Sequence, residues 1–186
     1  MDKLLLLSVI LLLFSACGSN ESKAPDNGAV SKPAQPAAKP AEARRNIVFF
    51  GNSLTAAYQL PPEQGFPALI QRKIDSLGLP YRCIDAGLSG ETTADGKNRI
   101  DWVLKQPVDI FVLELGGNDA LRGLPVNASR ENLQAIIGKV KARYPDCKIV
   151  LAGMLAPPNL GANYTRAFQQ MYPELAKNNK AALIPF

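Results

Sequence analysis

The sequence of 186 residues contains no histidine. Within these residues there is therefore no imidazole to ligate zinc and none to act as base for a serine or cysteine nucleophile. Cysteine is also scarce: the three residues, Cys17, Cys83 and Cys147, are too few for a disulfide scaffold, and no C-x-x-C pair is present for a zinc ribbon or a thioredoxin-type redox centre. No metal site and no cofactor is expected. Long apolar runs are missing too. The longest, Leu4–Phe14, has eleven residues, and as a helix it would cover only about half of a ~30 Å hydrocarbon core. Basic residues exceed acidic ones by 21 to 16, for a formal charge of +5. They are dispersed and not interleaved with aromatics, which describes a solvated surface and not a nucleic-acid footprint. The remaining composition, 47% apolar and 20% charged, is that of a folded chain of one domain.

The first residues combine Lys3, the short apolar run and small residues, the pattern of an export signal that takes no part in the fold. Phe14-Ser15-Ala16-Cys17 resembles a bacterial lipobox. That resemblance implies removal of residues 1–16, acylation of Cys17 and anchorage to a membrane of the cell envelope, with the protein facing the periplasm. Residues 17–45 then form a tether. Pro25, Pro33, Pro36 and Pro40 are scattered among alanines and charges, and Val30 is the one large apolar side chain between Gly18 and Arg45. Such a segment cannot bury enough apolar surface to offset its ordering entropy. The folded domain spans residues 46–186, long enough for one substantial core.

Within that domain short β-rich runs alternate with stretches of helical periodicity. Strands are predicted at 46–50, 81–86, 108–115, 148–154 and 181–186, and helices at 67–77, 93–105, 129–144 and 164–176, the last interrupted near Pro173. Trp102 falls at helical spacing among Ile100, Val103 and Leu104 and is read as core. The alternation predicts an α/β domain, doubly wound, with a five-stranded parallel sheet and helices on both faces. The sequence stops in the fifth strand, where parallel sheets are ordinarily covered on both sides, so a last helix is expected to be missing.

Polar or glycine-rich turns follow the first three strands: Gly51-Asn52-Ser53-Leu54, Gly87-Leu88-Ser89-Gly90-Glu91-Thr92-Thr93 and Gly116-Gly117-Asn118-Asp119. In a doubly wound sheet all three reach the same rim. A hydroxyl nucleophile, a glycine N–H and a carboxamide on one rim are what acyl transfer requires: an attacking oxygen, with donors where the oxyanion develops.

From Asn46 to its end the chain resembles the SGNH/GDSL hydrolase family, within it the group of bacterial arylesterases, thioesterase I and lysophospholipase L1. Phe49–Leu60 is similar to the family's first block, Asp85–Gly96 to the second and Leu113–Gly123 to the third, with further likeness through Ala156–Gly161. The resemblance implies Ser53 as nucleophile and as one backbone oxyanion donor, Gly90 N–H as a second, and the Asn118 side chain as a third. Asn52 stands where many members have Asp. The family continues after the fifth strand with Asp-x-x-His, which this sequence does not contain. Loss of a triad histidine can cost as much as about 10⁶ in kcat, so the base is expected beyond residue 186 and these 186 residues are expected to be nearly inactive alone. The substrate implied is a small acyl ester, thioester or lysolipid, with no nucleic-acid partner.

Two other readings compete. One is a catalytically silent, lipid-anchored protein with an acyl- or glycan-binding cleft. The other is an anion-binding loop at Gly51–Thr55 between strand and helix. Glu114 and Asp119 are read as structural, Ser89 and Thr92 as shaping the second turn, and Cys83 and Cys147 as free thiols.

Overall fold

The computed structural model describes residues 44–186. The leader, Cys17 and the tether up to residue 43 lie outside them. The first strand, β1 (Arg45–Gly51), begins one residue earlier than the sequence predicts. Arg45 donates its backbone N–H to the Pro80 carbonyl at 2.9 Å, which extends the pairing. The chain then runs through α1 (Phe66–Ser76), β2 (Tyr81–Gly87), α2 (Thr93–Val103), β3 (Ile110–Glu114), α3 (Gly117–Leu121), α4 (Val126–Arg143), β4 (Lys148–Ala152), α5 (Ala162–Asn179) and β5 (Ala182–Ile184). Single 3-10 turns occur at Pro62–Gln64 and Pro158–Leu160.

The five strands pair in parallel in the order β2-β1-β3-β4-β5. Winding reverses at β1, and in open α/β sheets ligands bind outside the carboxyl ends of the strands at such a switch point.

Side chains alternate across the sheet. Val48 and Phe50 of β1, Phe111 and Leu113 of β3, and Ile149 and Leu151 of β4 are buried against Ile100 and Val103 of α2, Leu133, Ile136, Ile137 and Val140 of α4, and Phe168, Met171 and Leu175 of α5. On the other face Phe49 meets Phe66 of α1 edge-on, with ring centroids 5.6 Å apart. Helices thus lie on both faces, as expected. The edge of β2 is satisfied by α1: the Gln71 carbonyl oxygen accepts the Cys83 N–H at 2.6 Å, and its amide lies 3.4 Å from the Tyr81 carbonyl. A side chain here takes the place of a sixth strand.

Two expectations fail. Helix α5 is not interrupted but runs through Pro173 to Asn179. An interior proline costs about 3 kcal/mol. Burial of Met171, Tyr172, Leu175 and Ala176 around it outweighs that cost. Trp102 is not core: it is 68% exposed, while Ile100 and Val103 take the inward face of α2. Cys83 and Cys147 are free, one on β2 and the other just before β4. Burial raises both thiols, and Cys147 is pushed up to about 11, so neither is a ready nucleophile.

Candidate active site

The three nominated turns meet because their strands end level with one another. In the register Gly51 pairs with Gly87 on one side and with Glu114 on the other. The turns are then stitched together. Leu88 N–H donates to the Gly51 carbonyl at 2.9 Å, joining the second turn to the first. The Asn118 side-chain amide donates to the Glu91 carbonyl at 2.9 Å, joining the third to the second.

The first turn is built around a carboxylate. Glu114, the last residue of β3, accepts from Asn52 N–H at 3.3 Å, from Asn52 Nδ2 at 3.0 Å and from Thr55 Oγ1 at 2.7 Å. Asn52 Oδ1 in turn accepts Leu54 N–H at 3.0 Å. Ser53 sits between the two anchored residues. Burial raises the Glu114 pKa, and its hydrogen bonds from Thr55 and Asn52 oppose the rise. There is no room for a side chain at Gly51, where a Cβ would lie 2.1 Å from Thr55 Oγ1 and 2.6 Å from Glu114 Oε2. No regular helix follows the turn directly, since α1 starts only at Phe66. A buried carboxylate under the loop, in place of a helix N-terminus, does not suit the anion-binding reading.

The second turn is held from three directions. Gly90 has φ of +82°, and its carbonyl accepts Arg122 at 3.0 Å. Arg99 forks both carboxylate oxygens of Glu91, each at 2.6 Å, and lies over the Phe50 ring at 4.3 Å. Thr92 caps α2 in a reciprocal capping box with Asp95, so Thr92 does shape this turn. Ser89 is exposed. Asp119, in the third turn, is buried and accepts from Thr93 N–H, Thr93 Oγ1 and Ser129 Oγ. Glu114 and Asp119 are both spent on structure, as the sequence reading has them.

Three donors remain at this rim. Among the described residues no backbone carbonyl accepts the Ser53 or Gly90 N–H, and Asn118 gives one Nδ2 hydrogen to Glu91 while keeping the other. Among the described residues no titratable side chain hydrogen-bonds to Ser53 Oγ. Exposed apolar side chains follow the strand ends along the chain: Leu54, Tyr58 and Leu60 after β1, Leu88 after β2, Leu121 in α3 and Leu155 after β4. A recess of about 110 Å³ lies between α5 and the β4–β5 end, with Met154, Tyr172 and Phe186 in its wall. It touches none of the three nominated residues.

The sequence nominated Ser53, Gly90 and Asn118 but missed what holds them. Glu114 carried a signal, as the one charge within the apolar run Ile110–Leu115. The Arg99–Glu91 clamp, eight residues apart, carried none.

The model of the GDSL-like lipase/acylhydrolase family matches residues 49–186. Esterase TesA of Pseudomonas aeruginosa is 37% identical over 145 residues, covering 77% of this chain and 71% of the relative. An arylesterase of Vibrio mimicus is 34% identical over 146 residues, covering 78% and 72%. The crystal structure of AlinE4, an SGNH-hydrolase family esterase, superposes with a TM-score of 0.73 at 44% identity, covering 77% of this chain and 76% of that one. Strand order, interlocked turns and these matches agree: the chain belongs to the GDSL-like lipase/acylhydrolase family and is an ester hydrolase of the SGNH type.

Proposed function

We propose that Ser53 is the nucleophile of this esterase and that Ser53 N–H, Gly90 N–H and the free Asn118 amide hydrogen bind the oxyanion. The observation that carries this reading is the set of unengaged donors at the joined ends of β1, β2 and β3. Ser53 Oγ attacks the acyl carbonyl, negative charge gathers on the carbonyl oxygen among the donors, and the alcohol or thiol leaves. Water then releases the acyl group. The serine proton passes to a base, which these 186 residues do not supply as imidazole, and that base protonates the leaving alcohol or thiol; the hydrolytic water then gives its proton to the same base, which returns it to Ser53 Oγ. The exposed apolar side chains that follow the strand ends support small acyl esters or thioesters, lysolipids among them, as substrates.

The test is hydrolysis of p-nitrophenyl butyrate with 0.1 M imidazole as the base that these 186 residues lack. Ser53→Ala should abolish the imidazole-dependent part of the protein's rate. Asn118→Ala should lower that part by about 10²–10³ with little change in KM, the cost of one oxyanion donor. An imidazole-dependent rate unchanged in Ser53→Ala would remove the assignment.

We further propose that Cys17 is lipidated after removal of residues 1–16 and that residues 17–45 tether the domain to a membrane of the cell envelope, facing the periplasm. Support comes from the leader pattern. Labelled fatty acid should enter the protein in cells, and Cys17→Ser should move it to the soluble fraction.

A further inference from the structure

We propose that Glu114 is a positioning residue for Ser53, an acceptor-only carboxylate that grips the nucleophile turn on both sides and so aims the Ser53 hydroxyl and N–H. The inference rests on Ser53 as nucleophile and goes beyond it. Glu114 contacts Asn52 and Thr55 and does not touch the reacting atoms.

The argument is one of donors and acceptors. Three donors converge on Glu114: Asn52 N–H, Asn52 Nδ2 and Thr55 Oγ1. Asn52 cannot rotate its amide to change this, because its Oδ1 is already taken by Leu54 N–H. Above its raised pKa the Glu114 carboxylate is ionised and presents acceptors alone on both oxygens, which no neutral side chain at this position does. A glutamine at 114 would have to turn its own NH₂ toward Asn52 N–H and Thr55 or toward Asn52 Nδ2. The second arrangement is relieved only by flipping Asn52, which then points NH₂ at Leu54 N–H. Every arrangement leaves a donor facing a donor inside the protein, which a buried network tolerates poorly. Glu114 has no ion-pair partner among the described residues, so its burial is held by these bonds alone. Since Thr55 and Asn52 bracket Ser53, the network fixes both ends of the short segment that carries the hydroxyl.

One rearrangement reverses the polarity without conflict. With Asn52→Asp and Glu114→Gln together, the glutamine NH₂ donates to the new carboxylate at 52, which still accepts Leu54 N–H. The glutamine carbonyl accepts the backbone N–H of residue 52 and Thr55 Oγ1. One buried carboxylate remains, on the other partner.

The experiment compares the full chain, Glu114→Gln, Glu114→Ala, the Asn52→Asp/Glu114→Gln double variant and Ser53→Ala. Two readouts are taken on protein shown by circular dichroism to be folded. The first is phosphonylation by an ethyl fluorophosphonate in 0.1 M imidazole, followed by intact mass and fitted for the limiting rate and half-saturating concentration. The second is amide hydrogen exchange at positions 52 and 54 by NMR, which needs no turnover. We expect the limiting rate to fall about tenfold or more in Glu114→Ala and Glu114→Gln, with half-saturation within about twofold. Exchange at both amides should quicken about tenfold, and the double variant should return both readouts to within about threefold of the parent. Folded Glu114→Ala with parental rate and exchange, or a double variant no better than Glu114→Gln, would overturn the proposal. Phosphonylation persisting in Ser53→Ala overturns the nucleophile assignment instead, and the exchange readout then decides Glu114 by itself.

Discussion

Arg99 clamps Glu91 through two contacts of 2.6 Å, and the carbonyl of that same glutamate receives the amide of Asn118 at 2.9 Å. A buried ion pair is thus one residue's backbone away from a proposed oxyanion donor. The Glu91 side chain is 1% exposed and that of Arg99 22%, so the pair is little screened. Arg99→Ala would strand a buried carboxylate, and we expect a loss of about 3–5 kcal/mol. Arg99→Met with Glu91→Gln should cost clearly less than the single change, because no uncompensated charge is left. Urea unfolding of the three variants measures this; equal losses in the single and double variants would argue against the clamp.

Gly87 and Gly90 are both glycines of the second turn, yet their substitutions should differ. A Cβ on Gly87 would lie 2.3 Å from Ala56 N and 2.7 Å from Thr55 C, backbone atoms of the turn that carries Ser53, whereas a Cβ on Gly90 meets nothing within 4 Å. Gly87→Ala must push the two turns apart. Expected is a loss of about 2 kcal/mol or more, typical of a core overpacking that the backbone must absorb, together with loss of esterase rate. Gly90→Ala faces only its positive φ and should cost about 1–2 kcal/mol. Thermal unfolding ranks the two, and a Gly90→Ala variant the less stable of the pair would contradict the packing.

Glu114 makes stability depend on pH in a definite sense. Burial raises its folded pKa above the ordinary value of 4.5, so between those two values the folded state holds a proton that the unfolded state has lost. Its contribution is complete below the unfolded value and is lost as pH rises through the folded one. Glu114→Gln has no such proton. The stability of the parent relative to this variant should therefore decline as pH rises above about 4.5 and level off once pH has passed the folded pKa, whatever the offset between them. Denaturant titrations at several pH values read the slope; a difference that grows with pH would reverse the assigned sign.

Much of this architecture could be read from the order of residues. Alternation of β-rich runs with 3.6-residue periodicity identified every strand, and Gly51, Gly87 and Gly116 marked where each of the first three ends. Two local rules misled. Pro173 is a helix breaker by itself, but the residues around it are anchored by the sheet and α4. Trp102 has the apolar character of a core residue and the spacing of one, but the inward arc of α2 is already filled by Ile100 and Val103, and periodicity does not tell a wide stripe from a narrow one. We expect Trp102→Ala to change stability by no more than about 0.5 kcal/mol, against about 3–5 for a buried tryptophan. As the sole tryptophan, it should emit near the wavelength of free indole in the folded protein and shift little on unfolding. A blue-shifted folded spectrum would place it in a core after all.

The absence of histidine gives the last prediction. A serine hydroxyl is a weak nucleophile unless a base takes its proton, and a positioned base is worth about 10²–10⁴. Among the described residues the acids closest in sequence to the proposed oxyanion donors are engaged elsewhere: Glu91 with Arg99, Glu114 with Asn52 and Thr55, Asp119 with Thr93 and Ser129. Imidazole in solution should therefore accelerate p-nitrophenyl butyrate hydrolysis by the 186-residue chain by about threefold or more at 0.1 M, a fraction of the gain from a fixed base because its entropy is not paid in advance. The acceleration should grow with pH through about 6.5–7, as neutral imidazole replaces imidazolium. Imidazole also attacks such esters unaided, so the Ser53→Ala protein is the blank. An imidazole response equal in the parent and in Ser53→Ala would mean that the hydroxyl is not the group being activated.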